Sequence, residues 1–330
     1  MNWIISRPVD LTLVIGSALA GYFYLLLNVT FAVPITYLWW FWSVGFDGTH
    51  IFATVSRTYL DREERRRNGP LLWGSLIAFF SLGPLMVLAG WKLALAIFVG
   101  AWAYYHVVRQ HYGFLMLYKV KHGDLDPAGN RLDTAFLAIM LAAPPFLRFF
   151  VWHPEELGIP RRLAFTQAEP FVWISVAVVC GLYLWRLSRG VTNVPKLLLL
   201  AAVVPLHWLT FHYMSWRAAV PTVTIVHNLQ YHALVWFHNR NKYSVQGSER
   251  RFGPAPAAVA RSLALYALAA ILFSLLYRLP GYHLSRISDL AFGLFCGFGF
   301  THYYLDSRIW RVRNDETLRE TLRLTRPLPA

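Results

Sequence analysis

Ten stretches of mostly apolar residues divide this chain, at about 10–29, 34–57, 71–90, 93–118, 133–151, 170–187, 196–215, 220–238, 258–278 and 286–307. An apolar run of about 20 residues is enough to cross a bilayer as a helix. In hydrocarbon, every backbone N–H and C=O must be satisfied within the chain, so such segments fold as bundled helices. The expected fold is therefore all-α: a polytopic integral membrane bundle of about ten transmembrane helices, with 1–330 as one domain and 308–330 as a short basic cytoplasmic tail. Only 15% of residues are charged, against roughly a quarter in soluble domains. The 56% hydrophobic content excludes disorder. The long apolar runs exclude a nucleic-acid binder despite a net charge of +14. Cys180 and Cys296 both lie in apolar stretches and form neither a disulfide framework nor a thiolate zinc site. The first run is long for a leader and reads as a retained helix.

Basic residues give the orientation. Of the 31 Lys and Arg, 23 fall on one side: Arg7, the loops around Arg57–Arg67, Lys119–Arg131, Arg186–Lys196 and Arg240–Arg261, and the tail from Arg308 to Arg326. Seven fall on the other side and Arg109 lies within a span. This split predicts both termini in the cytoplasm, a multi-pass location in the cytoplasmic (inner) membrane, and contact with anionic headgroups.

Most of the 12 histidines lie inside the apolar runs, where ionisable groups are costly and suggest function. Counted back from the next basic residue, His50, His111, His232 and His302 sit six to eight positions inside their spans, roughly 9–12 Å deep. His106 and His227 form a second layer about 7 Å further in. Within each H-x4-H pair the two rings point about 140° apart on a regular helix, so either a π-bulge brings them together or they have different roles. Asp47, Arg109 and Asp306 lie near these layers as candidate catalytic residues, with Arg109 stabilising a developing anion or pairing with Asp47. His207 and His212 read as groups that hydrogen-bond between helices. Gly293, Gly297 and Gly299 read as sites of close helix contact. Imidazole ligands without thiolates suit iron, copper or zinc.

The segments VGFDGTHIF around His50, QHYGF around His111, VHNLQYHALVW around His227 and THYYLD around His302 resemble the histidine-bearing helices of the Brp/Blh-type membrane β-carotene 15,15′-dioxygenases. The likeness covers short segments of four helices. The first motif reads Gly-Thr-His-Ile where the family has Pro-His-Gly, and four residues rather than three separate the paired histidines. The resemblance implies non-haem Fe(II), one or two ions, held first by His50, His111, His227 and His302. It makes His106 and His232 further ligands or supports for them, and it implies O2-dependent cleavage of a carotenoid.

The function expected is a histidine-ligated non-haem iron oxygenase. Its partners are O2, a lipid-soluble substrate (a carotenoid or another lipid) and membrane lipids, with no nucleic acid. The alternatives are a multi-histidine di-iron lipid hydroxylase or desaturase, and a haem-binding or proton-coupled transport protein.

Overall fold

The computed structural model describes residues 3–190 and 193–324. Arg326, counted among the cytoplasmic basic residues, lies outside the described residues. All regular structure in the described residues is helical, with no strand. The main elements are α1 (Ala18–Val29), α2 (Ile35–Trp42), α3 (Gly48–Arg57), α4 (Arg62–Arg67), α5 (Gly69–Leu88), α6 (Lys92–His122) and α7 (Pro127–Phe146). They continue as α8 (Glu169–Ser188), α9 (Val194–Tyr213), α10 (Trp216–Tyr243), α11 (Pro254–Arg261), α12 (Leu263–Ile287), α13 (Asp289–Ile309) and α14 (Glu316–Thr321). Helix starts follow ordinary capping chemistry. The side chains of Asp61, Asp126, Asn193, Ser262 and Ser288 accept backbone N–H bonds at the starts of α4, α7, α9, α12 and α13.

Among the described residues, six helices are long and apolar enough to cross a membrane: Arg7–Val29, Gly69–Leu88, Pro127–Trp152, Arg161–Ser188, Val194–Tyr213 and Leu263–Ile287. The other four runs, 34–57, 93–118, 220–238 and 286–307, are helical over most of their length. The first of these is broken into α2, a π turn at Ser43–Asp47 and α3. The others carry histidines, amides or charges that lower their apolar character. These four runs are also the ones that carry His50, His106, His227 and His302, whose polar load contributes to their weak membrane signal.

The chain divides into two compact units: among the described residues, 3–39 with 108–227, and 40–107 with 228–324. Helices α6 and α10 run unbroken through the residues where the chain passes from one unit to the other. In the first unit, α7 packs on α8 and α9, and α9 packs on α1. In the second, α13 lies against α5, and α12 packs on α3 and α13. Gly83 of α5 and Gly293 of α13 face each other so closely that a Cβ on either would overlap the other's backbone. This contact sets the position of α13, and with it His302.

Candidate metal centre

Four buried histidines converge. The nitrogen atoms that His50, His106, His227 and His302 can offer as ligands all lie within 4.8 Å of one another. His50, His106 and His302 belong to the second unit. His50 and His302 have ring centroids 4.2 Å apart at an interplanar angle of 82°. His106 stands 4.8 Å from His302 and 6.2 Å from His50. His227 is the residue at which α10 leaves the first unit. Residues four apart share one face of a helix, so His227 shares its face with Tyr231. The Tyr231 ring lies 5.3 Å from His50 and 5.7 Å from His302.

The supporting hydrogen bonds centre on Asp306, which is buried on α13. Thr54 Oγ1 and Tyr231 OH donate to Asp306 Oδ1 at 2.8 and 2.7 Å, and His302 Nδ1 lies 2.8 Å from Thr54 Oγ1. With the carboxylate ionised, both hydroxyl protons go to Asp306. The Thr54 oxygen is then left to accept from the Nδ1–H of His302. That tautomer leaves the lone pair on His302 Nε2, a buried atom with no hydrogen-bond partner. A polar group that fixes the tautomer of a ligating histidine is the usual support of a metal site. His106 Nε2 lies 3.8 Å from the other Asp306 oxygen. Trp310 Nε1 donates to Tyr231 OH at 3.2 Å, and Arg57 lies 4.0 Å over the Trp310 ring.

A metal ion fits this donor set. Imidazole nitrogens bind at roughly 2.0–2.1 Å, so four tetrahedral ligands lie about 3.4 Å apart, and small side-chain rotations close the set from 4.8 Å. All-nitrogen ligation is that of iron, copper or zinc.

The depth count grouped His50, His111, His232 and His302, and the structure groups two of those with His106 and His227. No π turn occurs in α6 or α10, so the H-x4-H partners point to different faces. His111 turns to His207, ring centroids 5.7 Å apart, within the first unit. His232 is held at both nitrogens, by Thr49 Oγ1 at 3.1 Å and Tyr266 OH at 2.9 Å. Asp47 is ion-paired with Arg278 rather than Arg109. Arg109 is exposed and lies 4.8 Å from the Tyr112 ring of its own helix. Of the carboxylates singled out in the sequence, Asp306 is at the centre.

Sequence reasoning passed over Thr54, Tyr231 and Trp310. A signal for the first two was present: each ligand-bearing position is followed four residues later by a polar group, His50 by Thr54, His106 by Gln110, His227 by Tyr231 and His302 by Asp306. Gln110 Nε2 donates to the His227 carbonyl at 2.7 Å.

Beside the centre, in the second unit, a cavity of about 190 Å³ is lined by Thr54, Tyr59, Thr301 and His302 and otherwise by apolar side chains, among them Leu76, Phe80, Phe273 and Phe298. No protein-family model, curated protein or solved structure matches this chain.

Proposed function

We propose that this chain is a multi-pass membrane protein, crossing the bilayer ten times with both termini in the cytoplasm, that holds one non-haem iron through His50, His106, His227 and His302 and oxidises a lipid-soluble substrate with O2. The observation that carries this reading is the four-histidine cluster standing beside an apolar cavity that His302 also lines. Bound there, iron supplies redox chemistry toward O2 that side chains lack. His302 is held in the tautomer that presents Nε2, by way of Thr54. Asp306 places a negative charge close to the bound cation. The apolar wall keeps water from the reacting carbon and orients a hydrocarbon chain. If the reaction is the double-bond cleavage implied by the Brp/Blh resemblance, the C=C bond breaks, each carbon takes one oxygen atom of O2, and no outside reductant is consumed.

The test is metal analysis of protein purified in a mild detergent, with optical spectra. About one iron per chain and no Soret band are expected, with His50→Ala and His302→Ala losing the metal while His111→Ala and His232→Ala keep it. Full metal in His50→Ala and His302→Ala overturns the reading.

A further inference from the structure

The second unit holds another cavity, of about 480 Å³, that shares no residue with the one beside His302. Its walls are Trp236, Arg240 and Ser244 at the end of α10, Ala260 and Arg261 at the end of α11, and Leu263, the first residue of α12. Arg240, Ser244, Arg261 and Leu263 are exposed, so the cavity opens to the surface and its charged groups can be reached from there. Ser244 Oγ donates to the Ala260 carbonyl at 3.3 Å, and the Trp236 ring stands 5.5 Å from that of Tyr266 on α12. These contacts hold the three helix ends together around the cavity.

The charge lining it is of one sign: two guanidinium side chains and no carboxylate. Among the described residues, Arg240 makes no side-chain hydrogen bond or ion pair. Arg261 gives Nη2 to Glu249 in an exposed pair, a kind of pairing that contributes little. Its other N–H groups make no hydrogen bond among the described residues. The wall at Leu263 is also the start of α12, where the helix dipole is positive and the first N–H groups lack a carbonyl one turn back. A planar guanidinium fork matches phosphate oxygens, so this cavity is built for a phosphate group.

Its surroundings are those of a lipid. Helix α12 is long and apolar enough to cross a membrane, and its Leu263, Leu265, Leu268 and Leu272 are exposed. Arg261 stands directly before that apolar run, which puts the cavity where the chain passes from water into hydrocarbon. Trp236, Arg240 and Ser244 follow one another at intervals of four, on one face. An indole suited to the membrane interface comes first, then the charge, then the hydroxyl. A phospholipid runs in the same order, from acyl chain to phosphate to polar head. The volume lies within the roughly 300–1,000 Å³ of ordinary ligand pockets, enough for the phosphate and glycerol while the chains lie along the exposed leucines.

We infer that this cavity binds one acidic phospholipid, with its phosphate held by Arg240 and Arg261 and its acyl chains along α12. No carboxylate lines the cavity to receive a headgroup ammonium, so a lipid with net negative charge is preferred to a zwitterionic one. The site is separate from the histidine cluster, and lipid binding here needs no metal.

The experiment is native mass spectrometry of the full chain in a mild detergent, titrated with dioleoylphosphatidylglycerol or dioleoylphosphatidylcholine. The first phosphatidylglycerol should bind about tenfold more tightly than phosphatidylcholine, the worth of one hydrogen bond between charged groups. Arg240→Gln and the double variant Arg240→Gln with Arg261→Gln should lose that preference while binding phosphatidylcholine as before, which shows that the fold is intact. Arg250→Gln removes an exposed charge of the same sign outside the cavity and should keep the preference. Glycerol 3-phosphate, the same phosphate chemistry without chains, should not displace the lipid even in large excess. Equal binding of the two lipids by the wild type overturns the inference. So does an equal effect of Arg240→Gln and Arg250→Gln, which would mean a general attraction of the basic surface. Displacement by glycerol 3-phosphate overturns it as well, in favour of a site for a soluble phosphate compound.

Discussion

Each unit of this chain buries ionisable groups. In the first, Lys196 Nζ lies 3.1 Å from both Asp133 and Asp124, and Lys119 contacts the same two carboxylates. Tyr183 OH donates to Asp133 at 3.0 Å, and Arg186 reaches Asp124 at 3.3 Å. The side chains of Lys119 and Asp133 are wholly inaccessible to solvent. Here the protein supplies both signs of charge, and the network is complete without a ligand. In the second unit, the imidazoles of His50, His106 and His302 stand together with the Asp306 carboxylate beside two of them. That arrangement is a donor set that could hold a cation. Burial of polar groups alone therefore does not mark a functional site; the two regions differ in whether the buried groups are opposite charges or a set of like donors.

The largest effect should come from breaking the self-sufficient network. Asp133→Ala leaves two buried ammonium groups sharing Asp124, and removing one partner of a buried pair costs about 3–5 kcal/mol. The thermal midpoint in detergent should drop strongly, while iron per folded chain stays near the wild-type value. Loss of iron in proportion to stability would erase the distinction between the two regions.

His302→Ala should behave in the opposite way. It loses the metal, and the stabilisation that a chelator removes from the wild type, about 2.7 kcal/mol at a hundredfold excess of free ion over Kd, is absent from this variant. The comparison is made by melting each protein with and without chelator.

Thr54→Val tests the tautomer argument directly. Removing a group that orients a ligating histidine costs about 10- to 100-fold in metal affinity, so competition with a graded chelator should show a shift in that range. Thr54→Ser, which keeps the hydroxyl, should restore it. If Val and Ser variants bind iron alike, Thr54 does not hold His302.

A pH titration sharpens the first unit. At Asp124, outside the membrane helices, burial pushes the carboxyl's pKa up, but the ammonium groups of Lys196 and Lys119 outweigh it and hold the value below the ordinary one. A depressed folded-state pKa means stability is fully present above the unfolded value, about 3.9, and is lost as pH falls through the folded one. Melting points should thus be flat above about pH 5 and decline below about pH 4. Asp124→Asn should show a shallower acid decline.

The smallest effect belongs to an exposed pair of the same chemistry. Glu63 and Arg251 hydrogen-bond on the surface, with side chains 39% and 65% exposed. Glu63→Gln should change stability by about 0.2–1 kcal/mol at most. A larger drop would mean that exposure does not separate surface pairs from buried ones here.

Much of this molecule could be read before its coordinates. All ten apolar runs correspond to mainly helical segments, because hydropathy over some 20 residues reports a local property of the chain. Gly293 lies at a close helix contact for the same reason: a residue without a side chain marks where backbones can meet, although its partner Gly83 was not legible. The site was legible in part. His50 and His302 stand out as ionisable groups in apolar runs, and Asp306 as a carboxylate one turn beyond a histidine. The choice between His106 and His111, or His227 and His232, was not. Depth along a helix is countable from the sequence, but the direction in which a ring points into a bundle depends on helix rotation, which only packing sets.

The sequence by itself determined an all-helical chain, the stretches apolar enough for lipid to be the natural solvent, and the fact that most of its histidines lie in a few of them. Those properties follow from composition and period along one dimension. The tertiary structure decided that Lys119 and Lys196 are neutralised by Asp133 and Asp124, that His232 is tied to Thr49 and Tyr266, and that His50, His106, His227 and His302 face a common point with Thr54 behind His302. These residues are up to 252 positions apart in the chain, and only the rotation and close approach of packed helices bring their side chains to one place.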